Sequence, residues 1–233
     1  MIEEEIAPRG HGNKANSAMN KLLMTLAFYA SGSFQILYGD LFRVHRTTAG
    51  RLAREVTKAI TRHRPEIIKM PSTPEEIRKS MTDFYKMIHP HGIPGVIGLI
   101  DGTHVKIISP AGSDIPEVFR NRKGYFSLNV QAICDSKLRF IDVVARWPGS
   151  QHDSAIFNDS LVKARFQRGD FLNAVLLGDA GYSCNNIILT PLRHPETEAE
   201  IYYNNVQILI RNAVERCFGV LKRRFPALAL GLQ

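Results

Sequence analysis

Two stretches of this sequence share one design, an apolar strand-forming run that climbs onto a single acid. Val96-Ile-Gly-Leu-Ile-Asp101 continues into Gly102 and Thr103, and Ala174-Val-Leu-Leu-Gly-Asp179 continues into Ala180 and Gly181. Runs of this length and composition predict buried strands. A buried strand is a costly place for a carboxylate, because taking an unpaired charge out of water costs roughly several kcal/mol or more. A metal ion is one natural compensator. The pair therefore predicts a sheet in which two strands deliver acids to a common place.

The flanking elements fit around that pair. Val96 to Ile108, Ser127 to Cys134 and Arg139 to Ala145 predict three strands of a meander, with Asp135-Ser-Lys137 as a turn. A helix is expected from His152 to about Arg168, then the strand into Asp179, a short strand over Ile187–Thr190, and a long helix from about Asn205 to Phe225. Glu196 to Glu200 reads as an acidic surface turn. The order is three strands, helix, strand, strand, long helix. That is an α+β or mixed α/β domain, in which ligands commonly sit beyond the carboxyl ends of adjacent parallel strands.

The front of the chain is helical. Ser17 is a candidate cap for a helix through about Ala30, with Met19, Leu22, Leu23 and Leu26 as its apolar stripe. Phe34 to Leu41 predicts a short helix. A further helix starts at Thr47 or Thr48, with Leu52, Val56, Ala59 and Ile60 on one face. Pro71-Ser-Thr-Pro74-Glu-Glu76 is a helix start, with Ile77, Met81, Phe84 and Ile88 buried behind it. His89-Pro-His91 reads as an exposed loop. Residues 43 to 69 hold eight Lys or Arg against two Glu, a balance that favours phosphate contact. Helix, turn, basic helix outlines a helix-turn-helix; the plainer alternative is a small bundle with solvated basic faces. Residues 1 to 15, with Pro8, Gly10 and Gly12, are expected to be frayed.

Charge and cysteine content narrow the function classes. A net charge of +8 over 233 residues favours a polyanionic partner, nucleic acid first. Cys134, Cys184 and Cys217 are scattered and form no CxxC, which argues against a disulfide framework or zinc module. The apolar runs are too short to span a bilayer. The acidic start (Glu3 to Glu5) lacks signal-peptide order.

The chemistry rests on three acids. Asp101 and Asp179 end strands, and Glu215 lies beside the stripe Val214, Phe218, Leu221 and Phe225 of the last helix, on a face with Arg211, Gly219 and Lys222. Without a Cys or His cluster, three carboxylates make a hard oxygen site suited to Mg²⁺ or Mn²⁺. Two such ions ~4 Å apart activate a water and stabilise the leaving oxygen of a phosphodiester. Each acid alone has a plainer role. Asp101 and Asp179 fit turns, and Glu215 fits a helix salt bridge to Arg211 or Arg216. Together, on a basic chain, they favour the metal site. A small-molecule metal phosphohydrolase fits less well, because it leaves the basic segments unused.

Five segments resemble the PIF/Harbinger superfamily of DDE transposases, and most closely the animal Harbinger transposase-derived nucleases. They are Gly95-Val-Ile-Gly-Leu-Ile-Asp-Gly-Thr-His104, Asn121-Arg-Lys-Gly-Tyr-Phe-Ser-Leu-Asn-Val-Gln131, Trp147-Pro-Gly-Ser-Gln-His-Asp-Ser154, Leu177-Gly-Asp-Ala-Gly-Tyr182, and Arg211-Asn-Ala-Val-Glu-Arg-Cys-Phe-Gly-Val-Leu-Lys-Arg-Arg-Phe225. The resemblance implies an RNase H-like fold and a metal-dependent DNA-cleaving triad, matched by Asp101, Asp179 and Glu215. The expected class is α/β, an RNase H-like mixed sheet with flanking helices behind a small helix-turn-helix-like segment. The expected domains are residues 16–70, helical, and residues 71–233, the endonuclease domain. The family pattern continues further, so that domain is read as truncated at its C-terminal end.

The resemblance also implies a DNA partner, a Myb-like DNA-binding protein in some relatives, and a nuclear location with the cytoplasm as a second one. Asp153 and His104 are accessory candidates. Asp153 is either an extra metal or DNA contact or a helix first-turn acid, and His104 is expected to pack or hydrogen-bond. Arg120, Arg122, Lys123, Lys222, Arg223 and Arg224 are candidate phosphate contacts. Arg43 stands where relatives often hold Gly in the turn before the basic helix, and a left-handed Arg there is strained. The alternative function is a catalytically inactive domesticated transposase that binds DNA or protein.

Overall fold

The computed structural model describes residues 2–7, 17–32, 40–110 and 115–231. In chain order the helices are α1 (Ile2–Glu5), α2 (Ala18–Ser31), α3 (Arg46–Arg62), α4 (Arg64–Ile67), α5 (Pro74–Tyr85), α6 (Asp153–Asn158), α7 (Leu161–Gln167), α8 (Glu198–Arg224) and α9 (Ala227–Leu230). The strands are β1 (Val96–Lys106), β2 (Ser127–Cys134), β3 (Phe140–Pro148), β4 (Val175–Leu177) and β5 (Ile188–Leu189). Two compact units result. One holds the chain up to residue 67, residues 106–108 and the stretch from 221 on; the other holds 68–105 and 109–220. The stretch from 221 on therefore packs with the front helices, which the expected boundary near residue 70 did not anticipate.

The larger unit carries the five-stranded sheet, in the order β3-β2-β1-β4-β5. β2 and β3 are antiparallel, while β1, β4 and β5 run parallel. This mixed sheet with flanking helices is the RNase H-like α/β class. Each face has its own core. Val96, Leu99 and Leu177 pack with Phe84 and with Val206, Ile210, Ala213 and Val214 of α8. Ile97, Ile100 and Leu176 pack with Phe157, Phe171 and Tyr182 on the other face. Val96 and Leu99 face one core and Ile97 and Ile100 the other, a spacing of three that comes from the register shift between Val96 and Gly98 interrupting the two-residue repeat of the strand. Gly98 lets the strands come close, since a Cβ there would lie 3.1 Å from Leu176 Cδ2. All three cysteines are free.

Several elements differ from their expected bounds. β1 continues through Asp101 to Lys106, so this acid lies inside a strand and not at its end. The helix expected over 152–168 is two helices, because Ser160 Oγ accepts from the Lys163 amide and starts α7 afresh. α8 begins at Glu198, ahead of the expected Asn205. Glu200 accepts from the amides of Glu196 and Thr197, at 2.8 and 2.9 Å, and Thr197 Oγ1 accepts from the Glu200 amide. The acidic turn is thus the start of the helix, closed by reciprocal capping. The start at Thr73 holds, with the same capping box to Glu76.

The smaller unit packs α2 on α3. Val56 and Ala59 bury against Ala18 and Ile6, and Leu52 and Ala49 against Met24. Of the predicted stripe of α2, Leu22 packs against the core, but Met19, Leu23 and Leu26 are exposed, and Ala18, Lys21, Met24 and Thr25 are inside. Lys21 is buried because it pairs with Glu55 at 3.0 Å. Ile60 of α3 is also exposed. Arg43 does adopt the left-handed conformation, with φ 53°. Within the stretch expected to fray, Ile2–Glu5 form one helical turn and Ile6 is buried. The rest of that stretch, residues 8–15, lies outside the described residues, as does all but the end of the helix expected over 34–41. Among the described residues no helix is long and apolar enough to cross a membrane.

Candidate functional site

The register of the parallel pair explains how two distant acids meet. Leu99 of β1 stands opposite Leu177 of β4. Asp101 lies two residues further along β1, and Asp179 lies two residues past Leu177, in the loop that leaves β4, near enough for its charge to act on Asp101. Gly178 must be small here, because a Cβ would fall 2.9 Å from the ring of Tyr182. Asp179 Oδ1 accepts the Gly181 amide at 3.0 Å, which fixes the carboxylate at the mouth of its loop. Asp101 Oδ1 accepts the Gly102 amide at 2.8 Å.

Asp101 is 17% exposed. Burial pushes its carboxyl up to about 6, aided by the charges of Asp179 and Asp153 and opposed by the Gly102 amide and Arg211. The same three acids, with burial the largest cause, hold the Tyr182 phenol well above its ordinary range. Asp101, Asp153 and Asp179 therefore share one electrostatic neighbourhood.

Asp153 arrives from the α6 side. It is the first residue of α6, as the plainer expectation had it, but its carboxylate also lies directly against β1, where a Cβ on Gly102 would collide with it. Asn129 Nδ2 donates to Asp153 Oδ1 at 2.7 Å and to the Gln151 carbonyl at 2.9 Å. Gln131 Nε2 donates to the Asp153 carbonyl and to the Tyr182 hydroxyl, both at 2.9 Å. Ser154 Oγ donates to the Gly181 carbonyl, joining the start of α6 to the Asp179 loop. Asn129 and Gln131 are absent from the candidates that the sequence suggests. Their signal was present: Ser127, Asn129 and Gln131 are polar at strand period, and all three are buried.

Glu215 reaches this group through Arg211. Arg211 Nη2 donates to Glu215 Oε1 at 2.7 Å, and Nη1 approaches Asp101 Oδ2 at 3.4 Å. The helix salt bridge named as the plainer role of Glu215 is thus present, and it extends to Asp101. Glu215 is 55% exposed, whereas Arg211 is 17% exposed. Gly219, one turn on, faces open space.

The donor types suit a hard divalent cation, since every candidate ligand is oxygen. Two buried oxygens have no hydrogen-bond partner among the described residues, Asn129 Oδ1 and Gln207 Oε1. Gln207 is wholly buried and donates to the carbonyl of Gly178, beside Asp179. Buried acceptors without donors are costly unless a water or cation serves them. Among the described residues, however, no three His, Cys, Asp or Glu side chains already stand together as a metal cage. The Arg211 guanidinium offsets part of the acids' charge.

The basic candidates differ in what they do. Arg120 is committed locally: its guanidinium forks onto Glu117 at 2.7 and 3.0 Å, donates to the Gly124 carbonyl, and covers the ring of Phe126. Arg122 and Lys123 are exposed at the tip of the turn that Asn121 organises. His104 Nδ1 is hydrogen-bonded to Ser127 Oγ at 3.0 Å, the packing role expected of it. Lys222, Arg223 and Arg224 occupy the last turn of α8, in the smaller unit.

Comparison with known proteins extends this description. Residues 100–233 match the family described as "DDE superfamily endonuclease". The human "Putative nuclease HARBI1" is 34% identical over 216 residues, covering 93% of this chain and 60% of the human protein. The Xenopus laevis protein of the same name is 28% identical over 218 residues, or 94% of this chain and 61% of its own length. "Protein ALP1-like" of Arabidopsis thaliana is 24% identical over 223 residues, or 90% of this chain and 53% of its own. The chain thus spans about 60% of the length of the HARBI1 proteins it matches. No solved structure matches it significantly.

Proposed function

Since this chain belongs to the Harbinger branch of the DDE superfamily of endonucleases, we propose that it is part of a divalent-metal-dependent nuclease that hydrolyses DNA phosphodiesters. Asp101 and Asp179 hold the metal, Mg²⁺ or Mn²⁺, and Glu215 completes the set, with Asp153 as an accessory carboxylate. The observation that supports this reading is the parallel pairing of β1 with β4, which brings their acids near one another, with the charges of Asp179 and Asp153 both acting on Asp101. A bound divalent ion lowers the pKa of its water and neutralises charge on a leaving oxygen, and a two-ion arrangement divides those roles.

The chain's own residues set the conditions for that chemistry. Asp101 lies on β1 and Asp179 in the loop that follows β4, where it accepts the Gly181 amide, so little reorganisation is required of them. Asn129 and Gln131 orient Asp153 from beneath. The buried Tyr182 phenol keeps its proton and adds no further negative charge. Arg122 and Lys123, together with Lys222, Arg223 and Arg224 at the end of α8, supply phosphate contacts that are salt-sensitive and independent of sequence. The substrate is nuclear DNA, met with a Myb-like DNA-binding partner.

A second reading is a binding factor without catalysis. One observation favours it: Arg211 already pairs with both Asp101 and Glu215. Nicking of supercoiled plasmid with Mg²⁺ or Mn²⁺ decides between the two, beside a Glu215→Gln control. Metal-dependent nicking that disappears in the control supports the nuclease. DNA binding with no nicking by either protein supports the binding factor.

A further inference from the structure

We propose that Arg211 is a built-in competitor for the metal, a positioning residue that holds Asp101 and Glu215 until a divalent ion displaces it. The inference rests on the reading of Asp101, Asp179 and Glu215 as metal-binding acids and adds the state of that site before metal arrives.

Three observations carry it. First, one guanidinium spans two of the acids, at 2.7 Å to Glu215 Oε1 and 3.4 Å to Asp101 Oδ2. Second, Arg211 and Asp101 are each only 17% exposed, so that contact sits largely out of water, where it matters more, whereas Glu215 is 55% exposed. Third, among the described residues no three acids are assembled as a cage. Glu215 is one helical turn from Arg211, and the i, i+4 spacing keeps it turned toward the guanidinium.

A guanidinium cannot vacate the acids by losing its proton, because it stays charged at any ordinary pH. Metal entry therefore requires the side chain to swing away, breaking both contacts. Arg211 and a divalent cation compete for the same carboxylate oxygens and repel one another. Removing the guanidinium frees those oxygens and takes away one positive charge. The acids then repel one another more strongly without metal, and metal relieves more.

The test is Mn²⁺ binding to the whole chain, measured by electron paramagnetic resonance and calorimetry, for the parent, Arg211→Gln, Arg211→Lys and Asp101→Asn. Competition predicts that Arg211→Gln binds Mn²⁺ roughly tenfold more tightly than the parent. Arg211→Lys, which keeps the charge but loses the fork, falls between them. The melting temperature of Arg211→Gln is expected to drop in EDTA and to rise on adding Mn²⁺ by more than the parent's does. An Arg211→Gln protein that folds only with Mn²⁺ present equally supports competition. Unchanged or weaker Mn²⁺ binding by Arg211→Gln overturns the competitor role. Asp101→Asn separates that failure from failure of the site itself. If it loses Mn²⁺ binding, the acids stand as ligands whatever Arg211 does; if it binds Mn²⁺ like the parent, both the site and the inference fall.

Discussion

The carboxylate of Asp153 occupies the space that a side chain at Gly102 would need. Gly102 follows Asp101 directly, and its missing Cβ lets the first turn of α6 close onto β1. Asp153 cannot easily yield, because Asn129 Nδ2 holds its Oδ1 at 2.7 Å and Gln131 holds its backbone. Gly102→Ala is therefore expected to push α6 outward and to lower stability by about 1–3 kcal/mol. Urea denaturation with a parallel nicking assay checks this. A variant as stable as the parent would show that α6 adjusts freely.

Burial of Asp101 has a consequence for pH. Its carboxyl lies at about 6 in the fold against an ordinary value of 3.8, raised first by desolvation. The folded protein thus binds this proton more tightly than the unfolded chain. The stability linked to it is fully present below about 3.8 and is lost as pH rises to about 6, by an amount on the order of 3 kcal/mol. In EDTA, the melting temperature of the parent should fall across that window more than that of Asp101→Asn. The variant should then be the more stable protein at pH 7 while failing to nick DNA. Parallel melting curves for the two proteins across pH 4 to 7 would remove Asp101 as the buried acid.

Thr197 and Glu200 fix the start of the helix that carries Arg211 and Glu215. Thr197 Oγ1 accepts the Glu200 amide at 3.3 Å, and the Glu200 carboxylate returns to the Thr197 amide at 2.9 Å. Loss of such a cap costs about 1 kcal/mol. Thr197→Ala should lower stability by about that amount and leave metal-dependent nicking in place, since Arg211 lies more than three turns along the helix. Far-UV circular dichroism through a thermal melt checks the first part. A Thr197→Ala protein that no longer nicks would mean that the frame of α8 reaches the acids.

What could be read from the sequence, and what could not, follows from the range of the forces involved. The apolar runs at Val96 and Ala174 announced β1 and β4, because strand burial is written in local composition. Bringing Asp101 and Asp179 near one another needed the Leu99–Leu177 pairing, which is long-range. The motif Thr197-Glu-Ala-Glu200 was a legible capping box that its acidity disguised as a turn. On α2 the apolar residues Met19, Leu23 and Leu26 pointed to the wrong face, since the ion pair of Lys21 with Glu55 puts a lysine inside. Arg211 was visible as a partner of Glu215 by helical spacing. Its reach to Asp101, 110 residues away, was not.

Arg120 differs from its neighbours Arg122 and Lys123 in what already engages its charge. Arg120 is spent on Glu117, the Gly124 carbonyl and Phe126, so it holds the loop's shape. Arg122 and Lys123 are exposed and make no ion pair among the described residues. Each phosphate contact contributes about 0.9 to the slope of log affinity against log salt concentration. Arg122→Ala and Lys123→Ala should each weaken binding to duplexes of any sequence and reduce that slope by about one contact. Arg120→Ala should instead loosen the turn around Gly124 and lower the melting temperature, with its effect on DNA arising through that disorder. Fluorescence anisotropy over a salt series, beside thermal melts, distinguishes the cases. An unchanged slope for Arg122→Ala and Lys123→Ala would take this loop off the DNA path and leave phosphate contact to Lys222, Arg223 and Arg224.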